Sequence, residues 1–211
     1  MMFTCAHCTV LACRSNDLEK MPKNCPMRQQ AVYEEVMPEY QKPENKELFI
    51  EAAKLEHDGY CEWNRVREII ELCKRMHYQK VGLAFCVGLQ KEAKIFVDIM
   101  KRHGIEVTAI ICKNGSFDKE SFGIPKESKL KPESFEAACN PIAQARFLAE
   151  EGTDFNVLLG LCVGHDTLFF KYSQAPLTVL AVKDRVLGHN PCVALYCADG
   201  YFKKKFGEET E

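Results

Sequence analysis

Four cysteines open the chain at the spacing C-x2-C-x4-C-x11-C: Cys5, Cys8, Cys13 and Cys25. Thiols crowded in this way are ligands for zinc or for an iron–sulfur cluster. Structural zinc prefers two short pairs. Here three cysteines crowd together and the fourth stands in a lone Cys25-Pro26, which is closer to iron–sulfur ligation. A metal at Cys5, Cys8, Cys13 and Cys25 is therefore expected, with zinc and iron–sulfur both open. His7 lies inside the first loop, an awkward place from which to replace one thiol.

A second set of thiols is scattered: Cys86, Cys112, Cys139 and Cys162. Cys86 and Cys162 each stand in Cys-Val-Gly directly after an apolar run. Cys112 ends a β-branched run, and Cys139 precedes Asn140-Pro141, a helix opening. A lone strand cysteine is usually a small buried hydrophobe; the recurrence at strand and helix ends is what suggests a site. Four such thiols could ligate a second cluster or a soft metal, or line a pocket for a small ligand. His165 and Asp166 follow Cys162 closely and are candidates for proton transfer. Two other classes compete with this reading. One is a thiol enzyme with Cys162 as nucleophile and His165 or His189 as base. The other is a non-catalytic metal sensor or carrier that uses only the N-terminal cysteines. Lys183-Asp184-Arg185 suits either an anion or an ion pair closing a strand.

These residues need elements to position them. Residues 1–30 hold too few apolar side chains for a core of their own, so a bound metal would supply their folding energy. Residues 31–79 read as a helical linker and two helices, near 44–58 and 62–77, with Pro38 and Pro43 as breakers. Cys73 falls on the apolar stripe of the second helix and reads as core; Cys61, between the helices, is ambiguous. From 80 to 211 strands alternate with helices: strands at 80–86, 106–112, 155–162 and 177–182, helices at 90–103, 141–150, 165–172 and 191–205. That rhythm predicts an α/β fold, a Rossmann-like parallel sheet flanked by helices, joined to a small Cys-rich N-terminal metal-binding segment. If the strands are parallel, their carboxyl ends form one rim, the edge where open α/β sheets bind ligands.

Composition bounds the rest. The 211 residues are 46% hydrophobic with a net charge of −2, enough for one core and without the basic surface that nucleic acid requires. No apolar run approaches the roughly 20 residues of a membrane span, and the start lacks the pattern of a signal peptide. A cytoplasmic protein is expected. In that compartment the 12 cysteines point to ligation or reactive thiols and not to disulfides. Neither a Gly-x-Gly-x-x-Gly fingerprint nor a P-loop is present.

Phe85-Cys86-Val87-Gly88-Leu89, Cys112-Lys113 and Cys139-Asn140-Pro141-Ile142 join the four N-terminal cysteines in a wider pattern. Gly160-Leu161-Cys162-Val163-Gly164-His165-Asp166 and Lys183-Asp184-Arg185-Val186-Leu187-Gly188-His189-Asn190-Pro191 complete it. Over nearly its whole length the chain resembles an uncharacterised family of predicted metal-binding proteins, domain of unknown function 1847, found mainly in archaea and anaerobic bacteria. The resemblance implies a metal, possibly zinc, at the four N-terminal cysteines. It implies no reaction, and it is silent on the second set of thiols.

Overall fold

A computed structural model describes residues 3–207. The chain divides into two compact units, one ending at His57 and the other beginning at Asp58.

The first unit is short helices and turns: α1 (Ala12–Ser15), α2 (Gln30–Val36) and α3 (Pro43–Gly59), the last running just past the division. Pro38 follows the end of α2 and Pro43 opens α3, where its fixed φ suits a first turn. Up to His57, Ala12 is the one buried residue among those described. The apolar stripe of α3 is left largely facing solvent: Phe49 is 59% exposed, its ring met edge-on by Tyr40 at 5.1 Å. Hydrophobic burial therefore contributes little to this unit's order.

The second unit is a three-layer α/β sandwich. Its elements are α4 (Arg65–Arg75), β1 (Lys80–Phe85), α5 (Gln90–Arg102), β2 (Glu106–Ile111), α6 (Pro141–Glu150), β3 (Phe155–Leu159), α7 (His165–Tyr172), β4 (Leu177–Ala181) and α8 (Cys192–Tyr196). All strand pairs are parallel, in the order β2-β1-β3-β4. The central strands β1 and β3 are buried on both faces, which is why they read as unbroken apolar runs. Alternation then sorts side chains by face. Val81, Leu83 and Phe85 pack with Ile69, Ile70 and Cys73 of α4 and Phe96 and Met100 of α5. Ala84, Cys86 and Cys112 turn to the other face, with Ala145 and Leu148 of α6 and Phe169 of α7.

Two buried polar side chains fix the second face. Asn156 accepts from Thr153 Oγ1 at 2.9 Å and donates to Ser173 Oγ at 2.9 Å, and its amide fills the space over Gly82. Gln144 Nε2 donates to the carbonyls of Ile110 at 2.7 Å and Phe85 at 3.3 Å, clamping α6 to the ends of β2 and β1.

Most expected elements are present, with shifted ends. The strands stop short of their cysteines, because Cys86 begins the turn Val87–Leu89 and Gly160 turns the chain at φ +68. The helix expected at 62–77 starts at Arg65, since Asn64 Oδ1 caps it by accepting from Arg67 N–H at 3.1 Å. The helix expected at 191–205 breaks after Tyr196. Turns run through Gly200 before a last 3-10 turn at Lys203–Phe206. The helical linker expected ahead of residue 44 is divided into α2 and a 3-10 turn at Glu39–Gln41.

Candidate functional site

With order β2-β1-β3-β4, the chain crosses from β2 over β1 to reach β3, so the topological switch lies between β1 and β3. Cysteines leave three adjacent strand ends there: Cys112 after β2, Cys86 after β1, Cys162 beyond β3. Cys139 comes to the same rim from the other direction, just ahead of α6, whose cap Asn140 donates its backbone N–H to the Cys112 carbonyl at 2.8 Å.

Cys112 is the centre of the group. Its thiol is in hydrogen-bond contact with both Cys86 and Cys139, and its sulfur also accepts from Val87 N–H at 3.3 Å. It is 2% exposed. Cys139, then Cys86, then burial hold it protonated, well above the usual thiol range. The two flanking thiols are pushed the other way, in each case chiefly by accepting from Cys112. One proton on Cys112 serves one neighbour at a time, and other donors and cations carry the other. For Cys139 these are His165 and Lys113; for Cys86, the Gly88 N–H and Lys183. His165 is raised in turn, first by its bond to Cys139 and against its own burial.

The fourth thiol has a different partner. Arg185 Nη2 donates to Cys162 Sγ at 3.2 Å. His165, three residues beyond Cys162, faces Cys139 instead, because its backbone N–H is turned back to the Cys162 carbonyl at 2.9 Å as α7 begins. Asp166 Oδ1 accepts from Thr167 N–H at 2.7 Å and so serves the first turn of its own helix. His189 Nδ1 accepts from Asp184 N–H at 3.1 Å, while Asp184 Oδ1 takes the amides of Val186 and Leu187 at 2.9 Å. His189 and Asp184 thus build the loop that presents Arg185.

At the N-terminus, Cys5, Cys8 and Cys25 line one concavity of about 210 Å³, with His7, Thr4 and Asn24. Asn24 Nδ2 donates to Thr4 Oγ1 at 2.6 Å, tying the segment's two ends together. Cys13 sits on α1, exposed and outside that lining. Among the described residues, no three side chains of His, Cys, Asp or Glu stand ready-made to coordinate an ion. The donor sets nevertheless suit one: three thiols and an imidazole around the concavity, and three contacting thiols and an imidazole at the rim.

Sequence reasoning had no signal for three of these relationships. Lys183 reaches Cys86 through space left by two glycines: a Cβ on Gly88 would stand 3.7 Å from its Nζ, and one on Gly160 3.6 Å. Lys113, whose Nζ donates to the Ala137 carbonyl, adds charge beside Cys139. Gln144 lies beneath the thiols with its Oε1 buried and unpartnered among the described residues. Cys73 is fully buried, and burial pushes its thiol up to about 12. Cys61, Cys192 and Cys197 are exposed. No helix among the described residues is long and apolar enough to cross a membrane.

The model of a family of proteins of unknown function, DUF1847, matches residues 25–180, a span that takes in Cys25 and all four rim cysteines. The uncharacterized protein MJ0455 of Methanocaldococcus jannaschii is 42% identical over 204 residues, covering 97% of this chain and 98% of that one.

Proposed function

The chain belongs to the DUF1847 family of proteins of unknown function, and we propose that it is a metal-binding protein with two thiol sites. The observation that carries this reading is the contact of Cys112 with both Cys86 and Cys139 at the carboxyl edge of the sheet. Thiols gathered from three separate segments, with His165 against one of them, form a soft donor set of the kind that zinc and related ions take. The contact of Cys112 with both flanking thiols favours a single ion over a cluster. A bound ion would supply a Lewis-acid centre and hold its ligands as thiolates. Lys183, Arg185 and Lys113 would then offset the negative charge of the ligands, and Cys162, beside Arg185, would stand near the opening.

At the N-terminus, Cys5, Cys8 and Cys25 would hold zinc or an iron–sulfur cluster, with Cys13 or His7 as fourth donor. The near absence of buried residues there supports the reading, because metal binding would replace a hydrophobic core as the source of order. A second reading, thiol-dependent catalysis, is favoured by the cations that face the rim thiols. On this geometry its nucleophile is Cys139 beside His165 and not Cys162.

The test is zinc, iron and acid-labile sulfide per chain, on protein purified without oxygen. Cys86→Ser with Cys139→Ser should remove about one equivalent, and Cys5→Ser with Cys8→Ser a separate one. Full metal content in the rim variant would discard the rim site.

A further inference from the structure

We infer that Cys112 and Cys139 are a reversible dithiol–disulfide pair, which in the metal-free protein exchanges with small-molecule disulfides. The inference rests on the rim being a reduced thiol site, as proposed above, and not on which ion it takes.

The two residues form the neck of the loop 113–138. Cys112 is the last residue before it and Cys139 the first after it. Three bonds that do not involve sulfur hold the neck shut. Asn140 N–H donates to the Cys112 carbonyl at 2.8 Å, Asn114 Nδ2 donates to the Asn140 carbonyl at 3.3 Å, and Lys113 Nζ donates to the Ala137 carbonyl. Farther out, Ala138 N–H reaches the Phe117 carbonyl at 2.8 Å and Lys119 N–H the Glu136 carbonyl at 3.0 Å. The backbones are already one hydrogen bond apart and the thiols already touch. Closing an S–S bond would therefore join two side chains whose backbones the neck already holds together.

The other pairings are less suited. Cys86 and Cys112 lie one position beyond the last register pair of β1 and β2, Phe85 with Ile111. Side chains abreast on neighbouring strands are separated by about 4.8 Å, wider than the ~3.5–4.5 Å between Cβ atoms that a disulfide adopts. Cys162 is engaged by Arg185.

Exposure assigns the order of events. Cys139 is partly exposed and Cys112 is buried, so an external disulfide meets Cys139 first. The Cys139 thiolate attacks one sulfur of R–S–S–R; the S–S bond breaks and RS⁻ leaves. The Cys112 thiol passes its proton to that thiolate, and its sulfur attacks Cys139 Sγ in the mixed disulfide, releasing a second RS⁻. Two cysteine thiols lose two electrons and the small disulfide becomes two thiols. Oxidation withdraws two donors from the rim, so disulfide and bound ion exclude one another.

The full chain, reduced and stripped with a chelator, is incubated with oxidised glutathione without oxygen, alkylated, digested and mapped by mass spectrometry. A Cys112–Cys139 linkage is expected. Cys112→Ala should trap glutathione on Cys139, and Cys139→Ser should show neither the linkage nor fast trapping at Cys112. Circular dichroism checks the fold of the Cys112 variant; Cys139→Ser, at a partly exposed position, tests the pair independently. Prior loading with zinc should slow the linkage at least tenfold. A linkage joining another pair, trapping at Cys112 as fast as at Cys139, or no linkage in the parent would overturn the inference. Zinc binding without any linkage overturns it while leaving the metal reading intact. A linkage in protein that takes no zinc supports it and removes the metal reading.

Discussion

Arg185 and Cys162 are joined by a hydrogen bond from Nη2 to Sγ at 3.2 Å, while His165 stands against Cys139. The thiol next to the histidine in sequence is thus not the thiol next to it in space. This divides the rim into Cys112 with the two thiols it contacts, and a fourth thiol hydrogen-bonded to Arg185. Cys139→Ser should abolish soft-ion binding at the rim. Cys162→Ala should weaken it less than about tenfold, the scale of one ordinary hydrogen bond. Titration with cadmium, followed by the thiolate-to-metal absorbance band, measures both; equal losses would refute the division.

Cys73 gives a contrast in the same molecule. It is fully buried among Ile69, Ile70 and the β1–β3 face, and burial pushes its thiol up to about 12. A thiol raised in the folded state costs nothing while both states are protonated. It lowers stability as pH rises past its unfolded value of about 9, where only the unfolded chain ionises freely. Native protein at pH 8 should therefore alkylate Cys73 last. Cys73→Ser should cost about 1–3 kcal/mol by burying a hydroxyl, whereas Cys73→Ala loses only packing. Urea denaturation of the two variants separates these terms.

The sheet is legible in the sequence because β1 and β3 are covered on both faces, so that Val81, Leu83, Val157 and Leu158 leave an unmistakable run. Cysteines at strand ends are legible for the same reason: they interrupt that run. Which thiol meets which cation is not. Arg185 reaches Cys162 only because β4 lies beside β3, and Cys139 reaches Cys112 only because a long loop returns to its starting point. Periodicity carries no trace of such pairings. Nor does it say what a helix packs against: Phe49 of α3 is exposed, whereas Ile70 of α4 is buried.

The loop 113–138 is organised by charge more than by apolar burial. Lys129 is buried, with its Nζ 2.7 Å from Glu120 Oε1 and 3.4 Å from Asp118 Oδ1. The backbone N–H of Glu120, then that of Glu136, then Lys129 hold Asp118 below the usual carboxylate range. Lys119, then the amides of Lys131 and Leu130, do the same for Glu136. A carboxylate depressed by folding contributes stability above its unfolded pKa, about 3.8 for Asp118 and 4.5 for Glu136, and loses it as pH falls through the lower folded value. Hydrogen exchange in the loop should be flat from pH 5 to 8, after correction for intrinsic rates, and should rise below about pH 4 before the sheet opens. Loop and sheet opening together in acid would contradict this.

Cys5→Ser with Cys8→Ser should act on the first unit alone. Ala12 is its only buried residue among those described, so without a metal little would order residues 3–30. Trypsin should then cut at Lys20 and Lys23 several-fold faster, with the unfolding of the sheet domain unchanged. Equal resistance in parent and variant would mean that no metal organises this segment.

Two glycines at the rim should respond in opposite ways to one added methyl group. Gly160 turns the chain at φ +68, and a Cβ there would meet Leu89 Cδ1 at 2.1 Å, well inside any tolerated contact. Leu89, the last residue of the turn Val87–Leu89, is buried in the core, so it has little room to retreat. Gly160→Ala thus combines backbone strain with overpacking, each about 1–3 kcal/mol, and should strongly lower the urea midpoint. Gly88 has no unusual φ, and a Cβ there would stand 3.7 Å from Lys183 Nζ and 3.9 Å from Cys86 Sγ, ordinary contact distances. Gly88→Ala should leave stability within about 0.5 kcal/mol of the parent while narrowing the approach to Cys86. Its effect should appear in cadmium affinity and not in the urea midpoint. Similar destabilisation by both substitutions would mean that the space around Lys183 is set by the fold and not kept open for the thiol.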